Sequence, residues 1–137
     1  MSDAAEIREG IPLAPMHIGP VTRTALALFA GASGDHNPIH IDLDVANAAG
    51  RDDVFAHGML SMAYLGRLLT TIAPQEHLRS YSARFIAITP VHGEPICTAT
   101  PISVDTVNDE RQATLDLAVT LADGAVTLRG TAVIAIP

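Results

Sequence analysis

The sequence has little of what several classes of protein need. It contains one cysteine, Cys97, so no disulfide can form within the chain and a reducing compartment is expected. The chain contains only 8 Lys and Arg residues but 15 Asp and Glu residues. The net charge of −7 argues against nucleic acid as a partner, because phosphates require a basic surface. No apolar run approaches the about 20 residues that span a bilayer, and residues 1–10 are too polar for a signal peptide. These absences predict a cytoplasmic protein that binds neither nucleic acid nor membrane.

The composition is that of one folded unit. Apolar residues make up 48% of the 137 residues, which excludes disorder and allows one sizeable core. No internal repeat interrupts the chain. We therefore expect a single domain over residues 1–137, with residues 1–10 as a flexible arm. Three prolines within residues 11–20 allow an extended edge strand there at best.

Three helices are predicted in the first half of the chain. Thr22 can cap a helix that Gly31 and Gly34 end, and Asp44 can cap a short helix that stops before Gly50. Residues 58–72 carry the strongest helical pattern and are apolar on most sides, as expected of a helix inside a fold.

The second half changes to the pattern of β-strands. Segments rich in β-branched residues cover residues 80–88, 94–106, 111–122 and 125–136. Asp123-Gly124 is typical of a two-residue hairpin loop. Such a loop would pair Leu121 with Val126, Val119 with Leu128, Leu117 with Gly130, and Leu115 with Ala132. All eight residues would then lie on one apolar face of the hairpin. A buried helix followed by an antiparallel meander predicts an α+β fold in which the sheet wraps the helix.

The most informative stretch is residues 29–40, FAGASGDHNPIH. Asp35 and His40 lie five residues apart, a spacing that turns them away from each other in a regular helix and places them on opposite faces of a strand. Pro38 disfavours helical geometry at Asn37, so the backbone should break between the two. A broken backbone can bring the carboxylate and the imidazole to one point, where they could share one water as an acid/base pair.

This segment resembles the hydratase signature of the MaoC-like family, and Ala56-His57-Gly58-Met59-Leu60 is similar to that family's second conserved block. The chain length and the closing residues 130–137 are similar to the single-domain (R)-specific enoyl-CoA hydratases associated with polyhydroxyalkanoate synthesis. The resemblance implies a hotdog fold, which is a curled antiparallel sheet around a central helix. It also implies reversible hydration of a trans-2-enoyl-CoA to an (R)-3-hydroxyacyl-CoA.

The resemblance carries roles onto particular residues. Asp35 and His40 would activate the water, and the backbone N–H of Gly58 would stabilise charge on the thioester oxygen. Asn37, His57 and Met59 would lie beside the substrate, with Asn37 holding the turn. His57 and Met59 could also have a purely structural role in packing, without contact to the substrate. Some family members carry a serine on the central helix where this chain has Gly66.

Several alternatives stay open at this point. Asp35 to His40 could be an ordinary polar turn, and a hotdog enzyme could instead be a thioesterase or a dehydratase acting on carrier-protein substrates. A non-catalytic partner subunit is a further alternative. The chemistry needs no separate cofactor, and no metal is expected because no second cluster has ligand spacing. The expected partners are an acyl-CoA substrate and a second copy of the chain, in a homodimer or a dimer of dimers.

Overall fold

The computed structural model describes residues 6–137, and five of its strands form one antiparallel sheet. In spatial order the strands are β1 (Met16–His17), β3 (Ile96–Val107), β4 (Glu110–Thr120), β5 (Val126–Ala135) and β2 (Leu78–Phe85). The short β1 and the longer β2 are therefore the two edges. The helices are α1 (Arg23–Ser33), α2 (Leu43–Ala48) and α3 (Gly58–Ile72), with 3₁₀ turns at Pro38–His40 and Gln75–His77. The predicted α+β class is confirmed.

The main core lies between α3 and the sheet. Leu65, Leu68 and Leu69 on α3 pack with apolar side chains of the three central strands, including Leu115 and Leu117. Each such leucine contributes about 1.5–3 kcal/mol relative to an exposed one. The Tyr81 hydroxyl on β2 donates a hydrogen bond to the Met62 carbonyl at 2.7 Å, which ties the edge strand to the helix. α3 thus has a fixed position, and the bounds predicted for it are confirmed.

The two other predicted helices differ from the structure in detail. Gly31 lies inside α1, and the helix ends at Gly34, whose φ of 80° is the left-handed geometry that glycine adopts without strain. Thr22 caps α1 as predicted, since its Oγ1 accepts from the Ala25 N–H at 3.0 Å. The cap of α2 is Asp42, which accepts from the N–H of Asp44 at 2.9 Å. The prediction of Asp44 as the cap is wrong by two residues, because the helix already begins at Leu43 and Asp44 lies in its first turn.

The hairpin between β4 and β5 has the predicted register but a different turn. Leu115, Leu117 and Val119 pair as expected. Near the turn, Thr120 instead of Leu121 pairs with Val126, and the Leu121 N–H donates to the Ala125 carbonyl at 2.8 Å. The connection is therefore three residues long, and a β-bulge places the extra residue, Thr127, in β5. The Thr127 carbonyl accepts N–H groups from residues 86 and 87, at 2.9 and 3.3 Å, so the chain leaves β2 after Phe85 and not at residue 88 as predicted.

The described part of the predicted arm contacts the fold. Ile7 packs against the main core, and the Gly10 N–H donates to the Pro101 carbonyl at 2.7 Å. Residues 1–5 of that arm lie outside the described residues. Among residues 6–137, none of the helices is both long and apolar enough to cross a membrane.

Candidate active site

The chain between α1 and α2 folds back on itself at Asp35. The Asp35 N–H donates to Ser33 Oγ at 3.1 Å, directly after the turn at Gly34. The Asn37 N–H then donates to the Asp35 carboxylate at 3.3 Å, and the Asn37 side-chain oxygen accepts from the Ile39 N–H at 3.1 Å. Asn37 therefore starts the 3₁₀ turn that ends at His40. The expected break in the backbone is present, and these short polar side chains hold it.

His40 is buried, and a backbone contact fixes its tautomer. Its Nδ1 lies 2.8 Å from the Phe55 carbonyl oxygen, which can only accept a hydrogen bond. Nδ1 therefore carries the proton, and in the neutral ring Nε2 has a free lone pair. The Phe55 ring packs edge-on against His40 with centroids 5.0 Å apart. His40 is thus oriented as an acceptor.

His57 contacts both Asp35 and His40. The sequence named His57 but did not indicate this contact. It is 1% exposed, and its Nε2 donates to the Asp35 carbonyl oxygen at 3.1 Å. Its ring stacks on His40 with centroids 4.0 Å apart and 27° between the ring planes. Its Nδ1 is buried without a hydrogen-bond partner in the described part of the chain. His57 therefore holds Asp35 and His40 in one cluster.

This cluster has the composition of a possible metal site. A carboxylate oxygen of Asp35 and one ring nitrogen from each of His40 and His57 lie within 4.8 Å of one another. The sequence indicated no second cluster with ligand spacing, and the structure adds His57 to Asp35 and His40 in this one. Stacking of the His40 and His57 rings and the hydrogen bond from His57 Nε2 to the Asp35 carbonyl account for this cluster without an ion.

Burial lowers the pKa of His57 below its ordinary value of 6.5, although its hydrogen bond to the Asp35 carbonyl opposes this. The unfolded chain would bind this proton near pH 6.5 and the folded chain only at lower pH. Acidification through pH 6.5 should therefore destabilise the fold until the folded-state pKa is passed. We expect an NMR titration of the His57 ring to give a midpoint below 6.5. A midpoint at or above 6.5 would contradict the lowering of this pKa by burial.

Gly58 begins α3 directly after His57. As the first residue of the helix, Gly58 has an N–H without an intrahelical acceptor, and this N–H lies at the positive end of the helix dipole. A Cβ at Gly58 would lie 3.1 Å from two carbon atoms of the Phe85 ring. The absence of a side chain at Gly58 therefore keeps the space between the start of α3 and Phe85, at the end of β2, free for a ligand.

A cavity of about 250 Å³ opens beside Gly58 and His57. Apolar side chains and three hydroxyl groups line it. Its walls comprise Phe55, Ala56, Phe85, Ile86, Ala87 and Ile88 together with Ser61, Thr89 and Thr127. The sequence indicated none of these nine residues as site residues, although Ser61 lies one helical turn after Gly58 and so on the same face.

Two residues placed beside the substrate by resemblance do not line this cavity. Asn37 lies in the turn, and Met59 points outwards with 55% of its surface exposed. Gly66 is also outside the lining, because a Cβ there would face Tyr81 at 3.8 Å. Cys97 is buried, and burial raises the pKa of its thiol to about 11, so it serves as an apolar core residue.

Comparison with known proteins gives a consistent result. The model of the MaoC-like domain matches residues 10–113. The chain is 29% identical over 117 residues to an (R)-specific enoyl-CoA hydratase of Rhodospirillum rubrum, covering 85% of this chain and 81% of that protein. It is 31% identical over 112 residues to 3-hydroxyacyl-thioester dehydratase Z of Mycobacterium tuberculosis, covering 77% and 74%.

A solved structure agrees with these sequence relatives. The (R)-hydratase from A. caviae involved in PHA biosynthesis superposes with a TM-score of 0.83 at 25% identity, over 98% of this chain and all of that one. The hotdog fold and the hydro-lyase class expected from the sequence are both confirmed. The chain belongs to the MaoC-like domain family of hydratases and dehydratases.

Proposed function

We propose that this protein reversibly hydrates a trans-2-enoyl-CoA to an (R)-3-hydroxyacyl-CoA. The observation that carries the proposal is the approach of the Asp35 carboxylate to a ring nitrogen of His40, within 4.8 Å, next to the N-terminus of α3. The names of the hydratase from R. rubrum and the hydratase from A. caviae support the reaction and its (R) outcome.

The two side chains are suited to hold one water. A water that donates both of its hydrogens, which diverge at about 105°, can bridge two acceptors about 4.4–4.8 Å apart when its hydrogen bonds measure about 2.8–3.0 Å. The carboxylate of Asp35 and the free nitrogen of His40 are both acceptors, so the water would donate both of its hydrogens to the pair. Its lone pairs would then face away from the pair and be free to attack a substrate.

The reaction needs only proton transfer. The water oxygen forms a bond to C3 as one of its protons passes to the Asp35/His40 pair. The double bond shifts towards the thioester and leaves an enolate, and the pair returns a proton to C2. The product has gained one water, and both side chains end in their starting states.

Gly58 would stabilise the enolate oxygen. Its N–H is not needed by the helix and lies at the positive end of α3, beside the cavity. A donor aimed at charge that develops in the transition state is worth several kcal/mol, about 3–4 in comparable sites. Gly58 is therefore assigned as the oxyanion donor.

Replacement of Gly58 by proline tests this donor. Proline lacks the N–H but is favoured at the first position of a helix, and His57 already has φ −58° and ψ 136°, which a following proline accepts. We expect Gly58→Pro to lower kcat about 10²- to 10³-fold relative to Gly58→Ala. Far-ultraviolet circular dichroism checks that both variants fold.

Gly58→Ala is the matched control because it keeps the N–H. Its Cβ would press on the Phe85 ring, which is half exposed and can move. Some loss of affinity is expected from this contact. Equal kcat values for the alanine and proline variants would place the oxyanion donor elsewhere.

A paired assay separates the proposed reaction from its rivals. With crotonyl-CoA we expect the enoyl ultraviolet absorbance to fall without release of free thiol. Release of thiol would instead identify a thioesterase. A protein that does neither, alone and at high concentration, would fit the non-catalytic partner subunit, although that alternative does not explain the intact Asp35 and His40.

The carrier of the acyl group is decided by a second comparison. The name of the dehydratase from M. tuberculosis specifies a thioester but not the group that carries the acyl chain. Acyl carrier protein is therefore the alternative to CoA. The net charge of −7 disfavours an acidic carrier protein as partner. We expect a higher kcat/KM for crotonyl-CoA than for the crotonyl group on carrier protein, and the reverse order would assign the dehydratase function.

We further propose a cytoplasmic, single-domain enzyme that works as a homodimer. β2 is an edge strand of the sheet, and apolar side chains near its end, including Phe85 and Ile86, are half exposed. A second copy would pair this edge and cover these side chains. Light scattering coupled to gel filtration measures the state directly.

A further inference from the structure

The cavity beside Gly58 contains more hydroxyl groups than a plain alkyl chain requires. Ser61 on α3 and Thr89 on the facing segment are 5% and 4% exposed. Both line the cavity, whose other walls are mainly aliphatic and aromatic. Hydroxyl groups are costly to bury unless they have hydrogen-bond partners. Their presence at this depth therefore calls for a partner.

The two hydroxyl groups satisfy each other poorly. Ser61 Oγ and Thr89 Oγ1 are 3.4 Å apart, and among residues 6–137 each has no other hydrogen-bond partner. Good O–H···O bonds measure about 2.5–3.0 Å. Thr127, the third hydroxyl of the lining, differs in its partner, because it donates to a backbone carbonyl, that of Val119 at 3.3 Å, whereas the hydroxyls of Ser61 and Thr89 have only each other and one of their two donors stays unused. Ser61 and Thr89 are thus the pair with unused donor capacity.

The surroundings of this pair select against a charged ligand. In the described part of the chain, no Lys, Arg, Asp or Glu lines the cavity. His57, the one titratable residue of the lining, is buried and its pKa is lowered, so it offers no positive charge at pH 7. A buried carboxylate without a cation would be strongly disfavoured. A neutral acceptor, such as a keto oxygen, could take a hydrogen bond from each hydroxyl.

The position of the pair indicates where that group lies on the acyl chain. Ser61 follows Gly58 by three residues, about 4.5 Å along the helix axis. In an extended zigzag chain with bonds of about 1.5 Å, C1 and C4 are about 3.9 Å apart, which is close to that distance. With the thioester oxygen at the Gly58 N–H, the Ser61 and Thr89 hydroxyls would meet the chain near C4.

We propose that the enzyme selects acyl-CoA substrates with a neutral polar substituent, an oxo or hydroxyl group, near C4, and that Ser61 and Thr89 recognise it. This specificity rests on the proposed function, because it uses Gly58 as the anchor of the thioester. Unsubstituted enoyl-CoAs would still react, but the hydroxyl pair would remain without a good partner.

Binding of three saturated acyl-CoAs tests the proposal without requiring turnover. 4-Methylpentanoyl-CoA, 4-oxopentanoyl-CoA and succinyl-CoA have the same branched framework and differ only in the atoms attached at C4. By titration calorimetry, we expect 4-oxopentanoyl-CoA to bind at least about five-fold more tightly than the methyl analogue, a typical value for hydrogen bonds to neutral groups. Succinyl-CoA should bind at least about ten-fold more weakly than the oxo compound.

Variants then identify the recognising groups. Ser61→Ala with Thr89→Val removes both hydroxyls with little change of shape and should reverse the preference in favour of 4-methylpentanoyl-CoA. Each single variant should give a ratio of the two affinities between those of the wild type and the double variant. The single variants therefore test the inference even if the double variant does not fold. Thr98→Val is the matched control, because Thr98 lies on β3 outside the cavity and donates to the Ala118 carbonyl at 3.4 Å. It should keep the wild-type ratio.

The outcomes separate this inference from the proposed function. Tighter or equal binding of 4-methylpentanoyl-CoA by the wild type overturns the selection of a polar group, while hydration of crotonyl-CoA can still proceed. An unchanged ratio in the double variant overturns the role of Ser61 and Thr89. Failure to bind any of the three compounds overturns the inference and also removes acyl-CoA as the ligand class.

Discussion

Replacement of Asp35 by asparagine is expected to lower the rate of enoyl-CoA hydration about 10²- to 10⁴-fold, the usual worth of general acid–base assistance. The amide keeps the size of the carboxylate but can no longer take up a proton from the shared water. It would also offer an N–H₂ group to a water that needs acceptors on both sides. The loss should therefore appear mainly in kcat, measured from the absorbance of crotonyl-CoA.

The fold should survive this change. Asp35 is exposed in the protomer, and an amide oxygen can still accept from the Asn37 N–H. The contacts to Ser33 and His57 use the backbone of Asp35 and are unaffected. Thermal unfolding should thus resemble that of the wild type. Asp44→Asn, an exposed change in the first turn of α2, is the control that should retain turnover. An Asp35→Asn enzyme with wild-type turnover would refute the assignment.

Replacement of His40 by asparagine should cause a loss of similar size, about 10²- to 10⁴-fold in kcat. The side-chain amide of asparagine can occupy the place of Nδ1 and still donate to the Phe55 carbonyl, but it has no group at the position of Nε2. The change therefore removes the free acceptor and keeps the backbone contact. Loss of the ring contacts with Phe55 and His57 should also lower stability by about 1 kcal/mol.

Urea unfolding distinguishes the two effects of this variant. A modest fall in stability together with a large fall in kcat is the expected pattern. Phe55→Leu provides a comparison, since it removes the edge-on ring while leaving both nitrogens of His40 in place. If His40→Asn keeps full activity at permissive temperature, the ring nitrogen takes no part in the reaction.

Local pattern was sufficient to predict much of the fold. Residues 58–72 are apolar almost all round and form α3 with the predicted ends, because a pattern of that length leaves no other element possible. Three of the four predicted pairs between β4 and β5 are also present, since one face of that hairpin must be buried. The break between Asp35 and His40 follows from Pro38 in the same way.

Long-range contacts account for what the sequence did not predict. Nothing near His57 in the chain indicates that its ring stacks on His40, 17 positions earlier, because packing of α3 against the turn decides that contact. The β-bulge at Thr127 depends on N–H groups donated by residues 86 and 87. The lining of the cavity by Ser61 and Thr89 likewise combines distant segments. Periodicity cannot report on such contacts.

The shared water between Asp35 and His40 is tested most directly by a double-mutant cycle on kcat. If both side chains act on one water as a unit, Asp35→Asn combined with His40→Asn should be about as slow as the slower single variant, because the first change already disables the pair. Losses that multiply, so that the double variant is slower by the product of the two single effects, would show that the two residues act independently and would contradict a common water.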